Sequence, residues 1–393
     1  MSTQASTSAA KSRLLQKNDD DVVIVSAVRS AITKDTKPEL LLSHVLRAAY
    51  SKVSLDPKLI EDISVGNVLP PGGGATAARM AALHAGIPIE TSINTVNRQC
   101  SSGLTAITQI ANEIKAGQID IGIVDDQRLR SRRHGRILER GPLNPDAEDC
   151  LLPMGITSEN VAADYGITRA VQDEFAAISF QRAAKAQKEG KFKEEIVPIT
   201  AKWVDPKTEQ EREIVVDHDD GKDGTTHAGN ASQVSDSAAA VLLARRSVAK
   251  RLGLPILGKF VTSSVVGVPP RVMGIGPAFA IPRVLQVAGI TPTTSTSTRS
   301  TRRSRRRLSY GGTLHSAFDL HECHPGLHHF AIDAIATIAP GNPIPMPTPS
   351  AILSLIDNPR ASFPPYRRCS EPHSPEEVRS FVLGCSTRLV VGV

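Results

Sequence analysis

The feature that most constrains how this chain folds is a regular alternation of short apolar runs with longer amphipathic segments. The apolar runs have the length of β-strands and lie at 22–28, 63–69, 92–96 and 119–124. The segments between them carry apolar residues at helical spacing and lie at 38–53, 75–85 and 101–116. Strands that alternate with helices in this way predict a layered α/β fold.

The pattern becomes less regular after residue 150. It predicts a helical region over 157–190, strands at 195–204 and 213–217, a loop followed by a long helix of small residues over 228–253, a strand at 255–267 and a helix that ends near Gly289. After Ile290 proline, serine, arginine and histidine dominate, and few segments hold any period. We therefore expect an irregular tail from residue 291 onward.

Composition narrows the possible classes of protein. The net charge of +6 comes from one segment, because six arginines stand within nine residues between Arg299 and Arg307. Without that run the chain is neutral, so its basic isoelectric point does not describe a basic surface. The apolar runs are only of strand length, which predicts no membrane span. The five scattered cysteines favour free thiols in a reducing compartment over a disulfide framework.

The segment NTVNRQCSSG at 94–103 carries the clearest chemical signal. It places Cys100 between the end of a predicted strand and the start of a predicted helix, beside the small residues Ser101, Ser102 and Gly103. The positive end of a helix favours a thiolate over a thiol, which makes a cysteine nucleophilic. Most cysteines are small buried apolar residues, and geometry alone gives the two interpretations about equal weight.

The motif NRQCSSG resembles the nucleophile motif of the thiolase family, and longer segments resemble its peroxisomal-type 3-ketoacyl-CoA thiolases. These segments are GNVLPPGGGATAARMAALHAGIP at 66–88, CLLPMGITSENVA at 150–162, GNASQVSDSAAAVLLARRS at 229–247 and VVGVPPRVMGIGPA at 265–278. The resemblance covers about 22–123 and 144–290. It implies an α/β protein with a thiolase-like layered αβαβα fold, whose second half is incomplete in this chain.

On this resemblance the chain divides into six parts. These are a flexible leader at 1–21, the N-terminal half at 22–150, an inserted loop domain at 151–227, the end of the N-terminal half at 228–255, the start of the C-terminal half at 256–290, and a tail unlike the family at 291–393. The missing part of the second half is expected to leave apolar surface exposed, so that the chain is unstable or prone to aggregation.

The resemblance also implies a reaction and a set of site residues. In the family the cysteine takes the acyl group of a 3-ketoacyl-CoA, acetyl-CoA leaves, and a second CoA collects the shortened chain. Cys100 is then the acyl carrier and CoA a co-substrate, with no metal and no other cofactor. The implied substrate contacts are a loop around Met154, the stretch Asn230, Ala231 and Ser232 along the CoA arm, and Met273 and Gly274 in the wall of the site. Taken alone, these residues fit a core methionine, a helix cap and a tight turn better.

Membership of such a family implies a homodimer that acts in fatty-acid β-oxidation. The expected location is the peroxisome, with the mitochondrion and the cytosol as alternatives. Arg13 and Leu14 are similar to the start of a peroxisomal import signal. Asp20 and Asp21 stand where the His/Gln-Leu pair that closes this signal belongs, so targeting stays open.

Three catalytic motifs of the family are not found between Ile290 and the last residue. They supply a histidine in GHP, a second cysteine in CxG and an asparagine in NEAFA, which serve to protonate and stabilise the carbanion left by carbon–carbon cleavage. His324 follows Cys323 rather than glycine, and Cys385 is followed by Ser-Thr, so neither matches. We expect little or no thiolysis from the chain as written, and acylation of Cys100 without turnover.

The genetic code offers an explanation for this gap. With permitted codons, the bases for residues 294–307 spell IDIYEINEAFASQ when they are read two bases later. The bases for 124–135 spell SMTRDYGRAAM when they are read one base later, which is close to another family segment. We infer a thiolase gene with frame changes or misassigned exon boundaries. Resequencing of the transcript tests this hypothesis, since a clean message that encodes the present tail contradicts it.

Two other functions compete with the enzyme. The first is a catalytically dead thiolase-derived protein whose arginine-rich tail binds nucleic acid or an acidic surface. No aromatic side chains accompany the arginines on which bases could stack, so we expect no nucleic-acid partner. Salt-dependent binding of RNA or DNA that is lost on removal of 294–307 would contradict this expectation. The second is a zinc site of suitable ligand types but without the spacing of a common zinc finger, at His321, Cys323, His324, His328 and His329. Metal analysis tests it.

Overall fold

A computed structural model describes Leu14 and residues 16–32, 38–68, 71–128, 145–204, 210–219, 237–289 and 386–392. Its strands are β1 (Val22–Ser30), β2 (Asp62–Asn67), β3 (Ser92–Val96), β4 (Ile121–Arg128), β5 (Ile196–Val197), β6 (Ile199–Val204), β7 (Glu211–Val216), β8 (Ser237–Arg245), β9 (Gly258–Gly267) and β10 (Ser386–Gly392). Its α-helices are α1 (Pro38–Ser51), α2 (Ala75–His84), α3 (Ser102–Ala116), α4 (Pro145–Asp149), α5 (Met154–Tyr165), α6 (Arg169–Lys188), α7 (Arg246–Arg251) and α8 (Gly276–Ala288). Short 3-10 helices lie at Pro57–Leu59, Pro71–Gly74 and Pro270–Ile275.

One mixed sheet organises the described residues. Its strand order is β10-β9-β1-β8-β4-β2-β3, and β5 pairs with β1 beside this path. Strand β2 runs parallel to β3 and β4, whereas β8 runs antiparallel to both β1 and β4. Because parallel neighbours end at the same edge, β2, β3 and β4 bring the residues that follow them close together. Strands β6 and β7 form a separate antiparallel pair.

Helices cover both faces of this sheet, which produces layers. On one face α1 packs through Leu42 and Leu46 against Ile63 of β2 and Leu242 of β8, all fully buried or nearly so. On the other face α3 buries an apolar stripe against the sheet, and the same cluster includes Phe260 of β9. Helix α3 therefore contacts both the first strands and β9, and α8 packs on β9 and β10.

The structure contradicts the predicted long helix within 228–253. Residues Ser237–Arg245 form strand β8, and only Arg246–Arg251 are helical. The run SAAAVLLAR has high helix propensity, but it pairs along its length with β1 on one side and β4 on the other. Tertiary pairing thus overrides local propensity. The small alanines fit because α1 packs closely over this strand.

Two further predictions need correction. The tail is not irregular throughout, since Ser386–Gly392 form β10, which pairs antiparallel with β9. Strand β4 is longer than the predicted 119–124 and continues to Arg128, into the stretch interpreted as out of frame. It buries Asp125 completely, at a register position between Val65 of β2 and Ala240 of β8. The remaining predicted strands and helices are confirmed, with shifted ends.

Arg29 joins β1 to both ends of the segment that carries β5, β6 and β7. Its guanidinium makes a bidentate pair with Asp219 at 2.7 and 2.9 Å and bonds Glu195 through Nε at 2.9 Å. The ring of Phe192 lies 5.4 Å from the guanidinium carbon, and Asp219 also accepts from the Ile32 N–H at 3.0 Å. Burial lowers the pKa of Arg29, but the two carboxylates outweigh this effect and raise it.

The Arg29 cluster generates a test of stability. Arg29→Ala leaves two carboxylates without their cation, and we expect it to lower the free energy of unfolding in urea by about 3 kcal/mol. The matched control is Arg169→Ala, because Arg169 pairs with Asp173 on the exposed surface of α6. Its loss is expected to cost less than about 0.5 kcal/mol. Equal effects of the two substitutions would show that the Arg29 cluster holds nothing together.

Candidate active site

Cys100 lies in a tight turn between the end of β3 and the start of α3. The turn runs from Asn97 to Ser101, and Ser101 is the residue that precedes the first helical position. Cys100 is half-buried and does not form a disulfide. The structure thus confirms the predicted position of this cysteine, just before the N-terminus of a helix. Its role as a nucleophile stays a prediction.

Side-chain hydrogen bonds hold this turn in an unusual backbone conformation. Gln99 has φ of 51°, in the left-handed region that non-glycine residues rarely adopt. The Gln99 N–H donates to Oδ1 of Asn97 at 2.9 Å, and Oγ of Ser102 donates to the Gln99 carbonyl at 2.6 Å. The Arg98 N–H donates to the same Ser102 Oγ at 2.9 Å. Asn97 and Ser102 were missed as functional candidates, although both stand in the NRQCSSG motif.

Helix α3 rests directly on the backbone of β2 at Gly66. A Cβ placed on Gly66 would lie 2.5 Å from the Gly103 nitrogen and 2.6 Å from the Ser102 carbonyl carbon. Such distances are far below van der Waals contact, so only glycine fits between the strand and the helix. This contact fixes how close the first turn of α3 approaches the sheet. Because Cys100 immediately precedes that turn, the contact also fixes the depth of its thiol.

Amide side chains surround the edge of the sheet beside this turn. Asn67, at the end of β2, is buried and donates from Nδ2 to the Gly73 carbonyl at 2.6 Å. Its buried Oδ1 accepts no hydrogen bond from the described residues. Asn97 donates from Nδ2 to the Val68 carbonyl at 3.1 Å. Polar groups therefore gather where β2 and β3 end, as expected for a ligand-binding edge of an α/β sheet.

A second group of predicted residues forms an apolar wall. Met154 is not in a loop as predicted but is the half-buried first residue of α5, directly after Pro153. Helix α5 packs on the segment Pro270–Ile275, which contains buried Met273 and Gly274. Val161 on α5 meets Val272 and Ile275 in a small apolar cluster.

Polar contacts also connect the two sides of this wall. Asn160 donates to the Arg271 carbonyl at 3.0 Å, and Arg271 pairs with Asp164 at 2.5 Å. The structure thus brings the segments of Met154 and Met273 together. A Cβ on Gly274 would make only ordinary contact with Val161, at 3.8 Å, so this packing does not itself require glycine there.

Several predicted residues lie outside the described residues. They are Asn230, Ala231 and Ser232, the arginines from Arg299 to Arg307, and the proposed zinc ligands in the tail. Within the ranges that the structure does describe, no group of three or more His, Cys, Asp or Glu side chains is arranged to hold a metal ion. None of the helices described is both long and apolar enough to cross a membrane.

A layered α/β fold with a thiol at a strand-to-helix turn defines a class of proteins suited to covalent catalysis through cysteine. Comparison with known proteins identifies the branch of this class. The family described as "Thiolase, N-terminal domain" matches residues 22–247. The peroxisomal 3-ketoacyl-CoA thiolase of Yarrowia lipolytica is 48% identical over 308 residues, which span 71% of this chain and 74% of the relative. The chain belongs to the thiolase family.

Solved structures agree with this assignment and with the predicted fold class. The dimeric peroxisomal thiolase of Saccharomyces cerevisiae matches with a TM-score of 0.64 and 38% identity, over 83% of this chain and 92% of that one. A second structure of the 3-ketoacyl-CoA thiolase from that yeast matches with a TM-score of 0.60 and 40% identity over the same shares. That yeast structure has five α-β-α-β-α layers in two core domains of identical topology. The thiolase-like layered fold is confirmed.

The close contact at Gly66 generates a test. Gly66→Ala forces α3 away from β2, and we expect this to lower the free energy of unfolding by about 1–3 kcal/mol. It is also expected to change the rate at which iodoacetamide alkylates Cys100, since the turn moves with the helix. The matched control is Gly155→Ala in α5, where an added Cβ meets nothing within 4 Å. Unchanged stability and alkylation in the Gly66 variant would contradict this account of the turn.

Proposed function

We propose that this chain is an acyltransferase of the 3-ketoacyl-CoA thiolase type, which carries the acyl group on the sulfur of Cys100. The observation that carries the proposal is the position of Cys100, half-buried at the start of α3 within the residues that match the thiolase N-terminal domain. The name of the Yarrowia relative supplies the substrate class.

The chemistry proceeds by two transfers. The Cys100 thiolate attacks the 3-keto carbon of the substrate, and the bond between C2 and C3 breaks, so that an acyl thioester forms on the protein. The electron pair of that bond remains on C2 and takes up a proton, which releases acetyl-CoA. The sulfur of a second CoA then attacks the thioester, releases an acyl-CoA shortened by two carbons and returns the thiol. CoA is the co-substrate.

The wall formed by α5 and Pro270–Ile275 fits the acyl or pantetheine part of such a substrate. Its support is chemical, since half-buried Met154 and buried Met273 present flexible apolar side chains that adapt to an alkyl chain. Gly274 adjoins Met273 in the same wall. Asn230, Ala231 and Ser232 are assigned to the CoA arm on family resemblance.

Protonation of C2 requires a group that the family's motifs supply. Neither GHP, CxG nor NEAFA occurs between Ile290 and the last residue of the sequence. We therefore propose that Cys100 still accepts an acyl group from acetyl-CoA, a transfer that depends mainly on the local turn, whereas cleavage of a 3-ketoacyl-CoA is slow.

We further propose that the chain forms a homodimer through the edge of the sheet at β3. Strand β3 ends the sheet and pairs only with β2 among the described strands, which leaves its outer edge open to another chain. Exposed apolar side chains adjoin this edge, namely Met80 at 63%, Leu83 at 41% and Ile89 at 72% exposure. Arg79 connects α2 to the segment that precedes β3, because its guanidinium donates to the Ile89 and Thr91 carbonyls.

A peroxisomal location is the proposal for the cellular setting. It is supported by the name of the Yarrowia relative, and Arg13 and Leu14 resemble half of an import signal. Imaging of a fluorescent fusion beside a peroxisomal marker tests it. A diffuse signal that overlaps no marker contradicts the proposal.

Acyl transfer to Cys100 is tested with radiolabelled acetyl-CoA. We expect up to one label per chain, held as a thioester that added CoA removes again, because this release is the reverse of the labelling step. Cys100→Ser abolishes this thioester, because a serine hydroxyl is a far weaker nucleophile at neutral pH. Cys150→Ser is the control and keeps the label. Label on Cys150 alone, or none in folded protein, rejects the proposed function, and steady CoA-dependent cleavage of a 3-ketoacyl-CoA rejects the proposed loss of thiolysis.

The dimer is tested by light scattering after size exclusion. Ile89→Asp places a charge on the apolar surface beside β3, and we expect it to shift the protein from dimer to monomer at micromolar concentration. Leu257→Asp is the control, because Leu257 is 60% exposed but precedes β9, across the sheet from β3. A dimer that survives the first substitution, or a monomeric parent chain, rules out this interface.

A further inference from the structure

We propose that Ser102 is a positioning residue that aims the Cys100 thiol by holding Gln99 in the left-handed conformation. The inference rests on the proposed function, since positioning matters only if Cys100 reacts. It concerns a side chain that touches neither the sulfur nor any substrate in the structure. Its effect passes through the backbone of the turn.

The hydroxyl of Ser102 is placed to act on two peptide groups at once. It donates to the Gln99 carbonyl at 2.6 Å and accepts from the Arg98 N–H at 2.9 Å. Ser102 is 1% exposed, so water does not compete for these bonds. Only a hydroxyl can both donate and accept from one atom here. Alanine at this position would remove the acceptor of the Arg98 N–H and would leave the Gln99 carbonyl with one donor, the Ser102 N–H at 3.1 Å.

The conformation that these bonds hold is costly for glutamine. A side chain at positive φ crowds the following carbonyl, and the strain persists only where the surroundings impose it. Three hydrogen bonds oppose the strain at Gln99: the Ser102 hydroxyl and the Ser102 N–H, at 3.1 Å, donate to its carbonyl, and its N–H donates to Asn97 at 2.9 Å. Without the hydroxyl the shortest of these bonds is lost, and the peptide between Gln99 and Cys100 is expected to rotate toward ordinary φ. That rotation redirects the Cys100 side chain.

The packing of α3 on Gly66 does not replace the hydrogen bonds of the Ser102 hydroxyl. The contact of Gly66 with Gly103 fixes the helix itself, and Ser102 is its first helical residue. Cys100 stands outside the helix, in the turn to which the Ser102 hydroxyl is hydrogen-bonded. The Ser102 hydroxyl is therefore the link through which a fixed helix determines the direction of a thiol in front of it.

The experiment measures the rate of iodoacetamide alkylation at Cys100 by peptide mass spectrometry, with Cys150 as an internal reference in the same chain. Ser102→Ala is expected to change the rate at Cys100 by about tenfold, the size of one or two lost hydrogen bonds, and to leave Cys150 unchanged. Ser92→Ala is the matched control. Its exposed hydroxyl also bonds a backbone carbonyl, that of Glu61 at 3.2 Å, but outside the turn, so no change is expected.

A second substitution separates positioning from simple packing. Glycine adopts positive φ without strain, so in Gln99→Gly the turn no longer needs the Ser102 hydrogen bonds to hold this conformation. In the double variant Ser102→Ala with Gln99→Gly we expect the Cys100 rate to return to within about threefold of the parent. A side chain that merely fills space would not be replaced by a glycine three residues away. If Ser102→Ala alone does not fold, the double variant is expected to fold and to show this rate.

The outcomes distinguish this inference from the proposed function. A Cys100 rate that Ser102→Ala leaves unchanged, a double variant that stays perturbed or unfolded, or a parallel change at Cys150 would each overturn the positioning role. Acyl transfer from acetyl-CoA is measured on the same proteins. Acyl transfer that is absent while alkylation follows the expected pattern rejects the enzyme and keeps the positioning role. Acyl transfer that is present but unaffected by Ser102→Ala keeps the enzyme and rejects the positioning role.

Discussion

The close approach of two backbones, at Gly66 of β2 and Gly103 of α3, is the constraint on which the candidate site depends. It places the first turn of α3 on the sheet where the parallel strands β2 and β3 end, so strand ends and helix start meet at one point. The same helix then continues across the sheet, and its buried apolar side chains share a cluster with Phe260 of β9. A shift of α3 at Gly66 would therefore change both the backbone of the Cys100 turn and the packing of α3 against β9.

The sequence predicted the position of Cys100 because its signals are local. A strand-length run, a cysteine and an amphipathic segment follow one another within about 25 residues, and each can be recognised without knowledge of the rest of the chain. The need for glycine at position 66 could not be predicted in the same way. Gly66 lies 37 residues before the backbone it touches, so its role depends on a contact between distant segments.

The wrong predictions have the same origin. The alanines of β8 predicted a helix because alanine has a high helix propensity. The segment is a strand because it pairs with β1 and β4, and no local pattern reveals that pairing. Met154 was placed in a loop on the family resemblance, because the predicted helical region began at residue 157, whereas the helix starts at Met154, directly after Pro153. Asp125 lies completely buried at a register position between Val65 and Ala240, and that position depends on pairing with two strands that no local pattern reveals.

The pairing of β9 with β10 has a consequence for how the chain folds as it is made. The two strands are adjacent in the sheet, but residues 268–385 separate them in sequence. At usual rates of translation the ribosome needs on the order of ten seconds to add that stretch. During this interval the peptide groups of β9 that β10 later pairs with lack those partners. Among the described strands, this edge of the sheet is thus the one whose pairing waits for the last residues to be synthesised.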